Sequence, residues 1–336
     1  MIKKSYRIGI IGAGGWGTSI AKVLSENKHK VTLWTHEQHV VDELNTKHTN
    51  SIYLPEIELD KSIKATSNPS ALKRNDFFVL AVPTQFIRPV FETNNFHIKN
   101  KLLVNLSKGI EKGTLMRVSE ILNDISGINS NQYVILTGPS HAEEVSRKTP
   151  TTVVAASDEI ENAKIIQNVF SNPYFRVYTS DDVVGCEIGG ALKNVIAIAA
   201  GIIDGLGIGD NTKAALITRG LAGMNRLGTA LGAKPITFSG LSGLGDLIVT
   251  CNSRHSRNRY VGEQIGKGKK LDDILKDMQM VAEGVHTTAS AYHLGERHKV
   301  ELPITAEVYN ILFENVNPLQ AVKNLMTRRT RREWWW

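Results

Sequence analysis

The chain changes its hydrophobic rhythm near position 180. Before that point, short and nearly continuous apolar runs recur between polar stretches, the pattern of strands buried on both faces of a parallel sheet. The first run, 8–11, is rich in isoleucine. It is followed at once by Gly12, Gly14 and Gly17, then by a helical pattern with Ile20, Ala21, Val23 and Leu24 on one side. A second run, 30–34, completes a strand–helix–strand unit. Runs at 76–82, 101–107 and 133–136 predict three more strands, and 151–155 and 175–178 a further two. Beyond 179–182 no strand pattern remains. Segment 188–203 is apolar all round except for Lys193 and Asn194, which marks a helix buried in a core. It is too short and too polar in its middle to span a bilayer. Residues 271–326 read as amphipathic helices, with Pro303 and Pro318 at their starts or joints. The pattern predicts a mostly parallel, doubly wound α/β domain over 1–180, an all-helical domain over 181–330 and a terminal tail, 331–336.

Composition narrows this picture only slightly. A chain of 336 residues has room for two domains and a large core. The formal net charge of +7 invites a nucleic-acid reading. A positive field that gathers phosphate-bearing small molecules explains it better, and no nucleic-acid partner is expected. Part of the excess is the cluster at 328–332, a solvated end. Tryptophans 334–336 find no explanation in the sequence. Two cysteines, Cys186 and Cys251, cannot build a disulfide framework, and the polar opening of the chain carries no leader pattern. A cytoplasmic protein without membrane insertion is the expectation. His36, His39 and His48 lie in a polar stretch without metal-ligand spacing and read as surface histidines, so no metal is expected.

The candidate chemistry begins at the glycines. Strand, Gly12-x-Gly14-x-x-Gly17 and helix in that order form the context that a dinucleotide-binding turn requires. Gly12 allows the tight turn, Gly14 the approach of a pyrophosphate, and Gly17 close packing of helix on strand. The helix start then offers N–H groups and a positive dipole end. NAD-selective proteins of this kind end the second strand in an acid that holds the ribose 2′-OH. Here the run ends in Thr35-His36, with Glu37 one step further. That ending predicts room for a 2′-phosphate beside His36, and NADPH used at least as well as NADH.

Strand ends place Lys108 and the Gly138-Pro-Ser140 turn where ligands bind in open α/β sheets. Ser140 followed by Glu143 is also a capping-box pattern, which alone would account for both side chains. Lys193, isolated in an apolar helix, is costly to charge, so burial should lower its pKa towards neutrality. Its alternative is a structural ion pair with a carboxylate. A second glycine-rich stretch, 239–251, lacks the Lys-Ser/Thr of a phosphate-binding loop of the Walker kind. The segment after it, 252–259, sets three arginines among small hydrogen-bonding residues, which suits recognition of a phosphate. The alternative there is a solvated basic loop, weakened by the neighbouring Asp246.

These motifs carry a resemblance. Gly12-Ala-Gly-Gly-Trp-Gly17, Tyr53-Leu-Pro55, Ala81-Val-Pro83, Ser107-Lys-Gly109, Gly138-Pro-Ser-His-Ala142, Ala191-Leu-Lys-Asn194, Gly243-Leu-Gly-Asp246 and Ser256-Arg-Asn258 occur in order. Over nearly its whole length the chain resembles the bacterial NAD(P)-dependent sn-glycerol-3-phosphate dehydrogenases. The resemblance implies a Rossmann-like N-terminal domain and an all-α C-terminal domain. It also implies an oxidoreductase that interconverts dihydroxyacetone phosphate and sn-glycerol 3-phosphate with NADP or NAD, supplies phospholipid synthesis, and forms a homodimer. Carried over by position, the proton donor and acceptor is Lys193. Substrate contacts fall on Lys108, Gly138, Ser140, Lys193, Asp246, Ser256, Arg257 and Asn258. Cofactor contacts fall on Gly15, Trp16, His36, Tyr53, Lys108, Ala142, Arg257, Val281 and Glu283, beside the turn glycines Gly12, Gly14 and Gly17. Gly15 stands where the family often has serine, and His36 where it often has arginine. Two other classes stay open: a 3-hydroxyacid dehydrogenase of the 6-phosphogluconate type, and a non-catalytic NAD(P) sensor. Ser256-Arg-Asn258 argues against the first, and a lysine in an apolar helix against the second.

Overall fold

A computed structural model of the chain describes residues 5–278 and 280–333; the first four residues and the three closing tryptophans lie outside them. Eight strands form one sheet: β1 (Arg7–Ile11), β2 (Lys30–Trp34), β3 (Lys64–Thr66), β4 (Phe77–Leu80), β5 (Leu103–Asn105), β6 (Tyr133–Thr137), β7 (Thr151–Ala156) and β8 (Phe175–Ser180). Their order across the sheet is β3-β2-β1-β4-β5-β6-β7-β8. β1 to β6 are parallel, β7 runs antiparallel to β6, and β8 is parallel to β7. This is the mostly parallel, doubly wound sheet that the apolar runs predict. β3 is the strand that the pattern does not reveal. It has three residues, and only Ala65 is buried.

The chain winds outward through β1, β2 and β3, then returns to the other side of β1 with β4. That reversal leaves the carboxyl ends of β1 and β4 side by side, paired through Ile11 and Leu80, at the place where this architecture takes ligands. The helices of this unit are α1 (Gly15–Glu26), α2 (Gln38–Thr46), α3 (Ile87–Thr93), α4 (Val118–Ser126), α5 (Ala142–Ser146) and α6 (Ile160–Phe170). Ile20, Ala21, Val23 and Leu24, the apolar side read from the sequence, are fully buried on α1.

The remaining elements are helices: α7 (Val183–Leu206), α8 (Asp210–Ala230), α9 (Asp246–Asn252), α10 (Arg257–Gly266), α11 (Leu271–Lys276), α12 (Glu283–Arg297), α13 (Pro303–Phe313) and α14 (Pro318–Met326). Pro303 and Pro318 are the first residues of their helices, where a missing N–H costs nothing. The chain divides into two compact units. The first unit runs on to Val183, and Gly109–Leu115 joins the helical unit instead of the sheet unit. Ile110 explains the detour, because it is fully buried in the helical core.

α7 is also longer than its sequence suggests. At 24 residues it is long and apolar enough to cross a bilayer, so shortness is not what argues against a span. The argument is burial: its most apolar window is wholly covered by protein. Part of that cover is α10. A Cβ on Gly201 would run into the Arg259 carbonyl oxygen, and one on Gly262 into that of Ile198. Gly205 and Gly266 meet in the same way one turn on. The two backbones therefore pack in direct contact, without side chains between them.

Candidate active site

The glycine turn has the geometry of a cradle. Gly12 has φ +107°, and a Cβ there would lie 2.6 Å from the Ala81 carbonyl oxygen. A Cβ on Gly17 would strike the Gly12 carbonyl, so helix and turn are in contact. Gly14 differs from both: nothing lies within 4 Å of where its Cβ would be. It is the N-cap of α1 and gives the helix no side-chain cap. The open side of the turn and the uncapped helix start fit a pyrophosphate, and so fit a nicotinamide dinucleotide.

Gly15, Tyr53 and Ala142 come together beside this turn. A Cβ on Gly15 would lie 2.6 Å from the Tyr53 carbonyl oxygen and 3.8 Å from the Ala142 Cβ. A serine at position 15 would therefore displace the Tyr53 backbone, which accounts for the glycine. Ser19 Oγ donates to the Ala142 carbonyl at 3.2 Å and ties α5 to α1. Trp16 is half-buried and packs on the sheet core. His36 is exposed.

Glu37 is the residue here that sequence reasoning sets aside. Its N–H donates to Thr35 Oγ1 at 3.3 Å, which curls the chain back after β2. Its carboxylate then receives the Tyr53 hydroxyl, at 2.9 Å from Oε1 and 3.0 Å from Oε2. Burial, reinforced by this bond to Glu37, raises the Tyr53 pKa and keeps the phenol a donor.

Lys108, Gly138 and Ser140 also converge. Lys108 Nζ donates to the Gly138 carbonyl at 3.1 Å, and Ser140 Oγ donates to the same oxygen at 2.9 Å. Gly138 sits at φ +139°, and a Cβ there would press on Val153 Cα at 3.0 Å. The capping box does not form. α5 begins at Ala142 behind His141, with no side-chain cap, because Ser140 stands one residue too early and bonds backwards.

In the helical unit, Lys193 on α7 is buried, and Nζ donates to Asp246 Oδ1 at 2.8 Å. Asp246 is the first residue of α9, and its side chain is only 2% exposed. The second glycine-rich stretch places it there. Gly245 N–H reaches back to the Gly240 carbonyl at 3.1 Å in one wide turn, and a Cβ on Gly189 of α7 would meet the Ser242 carbonyl oxygen at 2.5 Å. Asp246 thus faces the lysine and not the arginine segment beside which it stands in the sequence. The pair is the carboxylate partnership that the sequence offers as the alternative for Lys193. The carboxylate favours the ammonium form that burial alone would oppose.

Thr250 completes the group, and sequence reasoning misses it. Its Oγ1 receives Lys193 Nζ at 2.8 Å and donates to the Asp246 carbonyl at 2.6 Å. The signal was the Asp246-x-x-x-Thr250 spacing, which puts both on one face of a helix. Cys251 beside it is a buried thiol whose pKa burial pushes up to about 12.

The phosphate candidates separate by exposure. Ser256 is the N-cap of α10, its Oγ receiving Arg259 N–H at 3.2 Å. Asn258 is buried, and its Oδ1 receives Gly284 N–H at 2.9 Å, which fastens α10 to α12. Arg259 bonds Asp204 at 2.6 Å and is structural. Arg257, between them, is exposed and unpaired among the described residues. Val281 and Glu283 are half-buried, Glu283 as the first residue of α12.

A glycine cradle at the reversal of a parallel sheet, joined in one chain to a helical unit with a buried lysine, defines a nicotinamide-dinucleotide-dependent dehydrogenase. Comparison with known proteins gives the particular family. Two family models match: the NAD-dependent glycerol-3-phosphate dehydrogenase N-terminus over residues 7–163 and its C-terminus over 182–323. The chain belongs to the NAD-dependent glycerol-3-phosphate dehydrogenase family. It is 51% identical to a Bacillus pumilus protein named glycerol-3-phosphate dehydrogenase (NAD(P)+), over 96% of this chain and 94% of that one. An Enterococcus faecalis protein of the same name is 49% identical over 97% of both. Among solved structures, glycerol-3-phosphate dehydrogenase from Coxiella burnetii superposes with a TM-score of 0.91 at 36% identity, covering 97% of this chain and 100% of its own.

Proposed function

We propose that the chain interconverts dihydroxyacetone phosphate and sn-glycerol 3-phosphate with NAD(P)H, and that Lys193 is its proton donor and acceptor. The observation that carries this reading is the placement of Lys193: one ammonium buried in a largely apolar helix, held at 2.8 Å by both Asp246 and Thr250. When bound, the reduced nicotinamide supplies hydride to the C2 carbonyl carbon. The chain's own residues deal with what that transfer leaves behind. As C2 is reduced its oxygen gathers negative charge, and a fixed ammonium in a dry setting stabilises that charge and provides the proton. Asp246 holds the ammonium charged and aimed. Thr250 fixes the direction of a second N–H bond of the same ammonium.

Gly12, Gly14, Gly15, Trp16, Gly17, His36, Tyr53 and Ala142 would hold the dinucleotide, with Lys108, Arg257, Val281 and Glu283 as the further contacts carried over from the family. Lys108, Gly138 and Ser140 form a second polar group for the substrate. Asp246 acts on substrate through Lys193. Ser256 and Asn258 present Arg257 from a capped, fastened helix start. Arg257 grips the substrate phosphate, a remote handle whose binding energy positions the carbonyl. A cytoplasmic homodimer feeding phospholipid synthesis completes the reading, supported by two buried free thiols and by the family alone.

The test follows oxidation of the reduced nicotinamide by absorbance, with dihydroxyacetone phosphate and dihydroxyacetone side by side. The phosphorylated substrate should be strongly preferred. Arg257→Lys should cost roughly 2–5 kcal/mol in kcat/KM for it, since one ammonium cannot replace a forked guanidinium. It should cost much less for dihydroxyacetone. Equal proportional losses on the two substrates would remove Arg257 from the phosphate, and no turnover of the phosphorylated substrate would overturn the function.

A further inference from the structure

The helical unit holds a cavity of about 550 Å³ that the chemistry at Lys193 does not use. Its floor is apolar. Leu192 and Ile196 of α7, Leu216 and Met224 of α8 and Ile304 of α13 line it and are buried. Its rim is basic: Arg328, Arg329, Arg331 and Arg332 are exposed, and Arg219 and Arg226 of α8 are half-buried. An apolar interior of this size with polar groups at one side has the character of a small-molecule site. Lys193 follows Leu192 in the chain, but its ammonium meets Asp246 of α9, which does not line the cavity. The two sites are separate.

The rim is fastened in place and rich in positive charge. Arg219 donates to the Glu333 carbonyl at 3.1 Å, and Arg226 to the Glu301 carbonyl at 2.9 Å. Arg328 and Arg331 bond the Glu301 carboxylate at 3.1 and 3.0 Å. These bonds seat 328–333, a solvated end by sequence alone, on the cavity. Glu333 is the one acid in the lining among the described residues. Arg329 and Arg332 have no ion pair among those residues. Burial lowers the Arg226 pKa, helped by the charges of Arg219, Arg328 and Arg331 and opposed by Glu301. The guanidiniums therefore stand close enough to repel one another.

Gly223 adds an independent sign. It lies inside α8 and lines the cavity. A Cβ there would rest in ordinary contact with Leu302 Cδ2 at 3.7 Å and Arg226 at 3.8 Å. Gly220, one turn earlier, is different: its Cβ would crowd Ile196 at 2.8 Å, so packing accounts for it. Glycine weakens a helix interior, and no close neighbour requires it at 223. What it does there is widen the cavity.

We infer that this cavity binds an amphiphile: one alkyl chain, laid on the apolar floor, ending in a phosphate monoester held by the arginines. A carboxylate fills a single guanidinium fork. A phosphate monoester brings nearly two charges and three acceptor oxygens, which suits several forks at once.

The test is isothermal titration calorimetry of the full-length protein with n-dodecyl phosphate below its micellar concentration. One molecule should bind per chain, at least about tenfold more tightly than dodecanoate, dodecyl maltoside or inorganic phosphate. Gly223→Leu fills the cavity and should weaken binding at least about tenfold, with Tm no lower than the parent's. Arg329→Glu with Arg332→Glu, both at exposed positions, should weaken dodecyl phosphate by a similar factor and leave dodecyl maltoside unchanged. If Gly223→Leu does not fold, the arginine pair decides alone. No binding by the parent, equal binding of dodecanoate, or binding that a folded variant leaves unchanged would overturn the assignment. Sedimentation covers the remaining occupant. A parent that takes up no probe, and whose mass falls in the arginine variant, would make the cavity an interface between two copies instead.

Discussion

Glycine serves opposite purposes in the two units. In the sheet unit Gly14 keeps space open: no atom fills its Cβ direction, and the space faces the start of α1. In the helical unit Gly201 and Gly262 close space, bringing α7 and α10 into backbone contact. The first arrangement exposes main-chain N–H groups to a ligand. The second fixes α7, which carries Lys193, against α10, which begins at Arg257. On the proposed reading, one unit would recognise through its backbone, and the other through side chains held by a rigid backbone. The difference teaches where each kind of site is robust. A backbone cradle tolerates changes in neighbouring side chains but not an added Cβ, whereas a side-chain site fails when a single functional group is lost.

The largest expected effect tests that division directly. Lys193→Met should be made together with Asp246→Asn, so that no buried carboxylate is left unpaired, a defect worth roughly 3–5 kcal/mol by itself. The double variant should lose about a thousandfold in kcat, ~4 kcal/mol of transition-state stabilisation. Its dinucleotide affinity by calorimetry should stay near that of the parent. Loss of affinity together with kcat would break the separation of roles.

Next in size is a pair of identical substitutions. Gly262→Ala forces a methyl group into the α7 backbone and should cost about 2–3 kcal/mol in urea unfolding. Gly14→Ala places the same methyl in open space and should leave stability within about 0.5 kcal/mol. Its effect should appear in binding, as a loss of about tenfold in dinucleotide affinity. If Gly14→Ala destabilises the protein while binding normally, the cradle is a packing feature and not a ligand site.

The smallest effect concerns the sheet unit alone. His29 is buried, with Nδ1 receiving Tyr6 N–H at 3.3 Å and Nε2 3.2 Å from the Val169 carbonyl. Both contacts are satisfied by one neutral tautomer. Burial lowers its pKa below the ordinary 6.5, the Val169 bond opposing only in part. The unfolded chain therefore takes up the proton first, and stability falls as pH drops through about 6.5. Above that range the group contributes no slope. His29→Gln should flatten this part of the Tm-against-pH curve, and an unchanged curve would assign the slope to other groups.

How far the sequence reveals these features follows from how local they are. The turn glycines lie within six residues of one another, and their spacing alone carries the physics. β7 announces itself by an apolar run, and β8 by the alternation of buried Phe175 and Val177 with exposed Arg176 and Tyr178. β3 does not, because a three-residue strand with one buried side chain leaves no periodicity to detect. Ser140 shows a local rule losing to a neighbour: the Gly138 carbonyl takes the hydroxyl that the cap would have used. Lys193 and Asp246 stand 53 residues apart, so no spacing rule could join them. The family resemblance does so instead.

The two cysteines carry a practical consequence. Cys186 and Cys251 have no exposed surface, and burial keeps Cys251 protonated with a pKa of about 12. Thiol-directed reagents attack thiolates that they can reach, and the native protein offers them neither. It is therefore already suited to labelling at one introduced surface cysteine, with no native thiol to remove first. A dye placed in the exposed segment around Arg254 would report substrate engagement from that one site, and uptake of reagent by the native protein would serve as a direct readout of local unfolding.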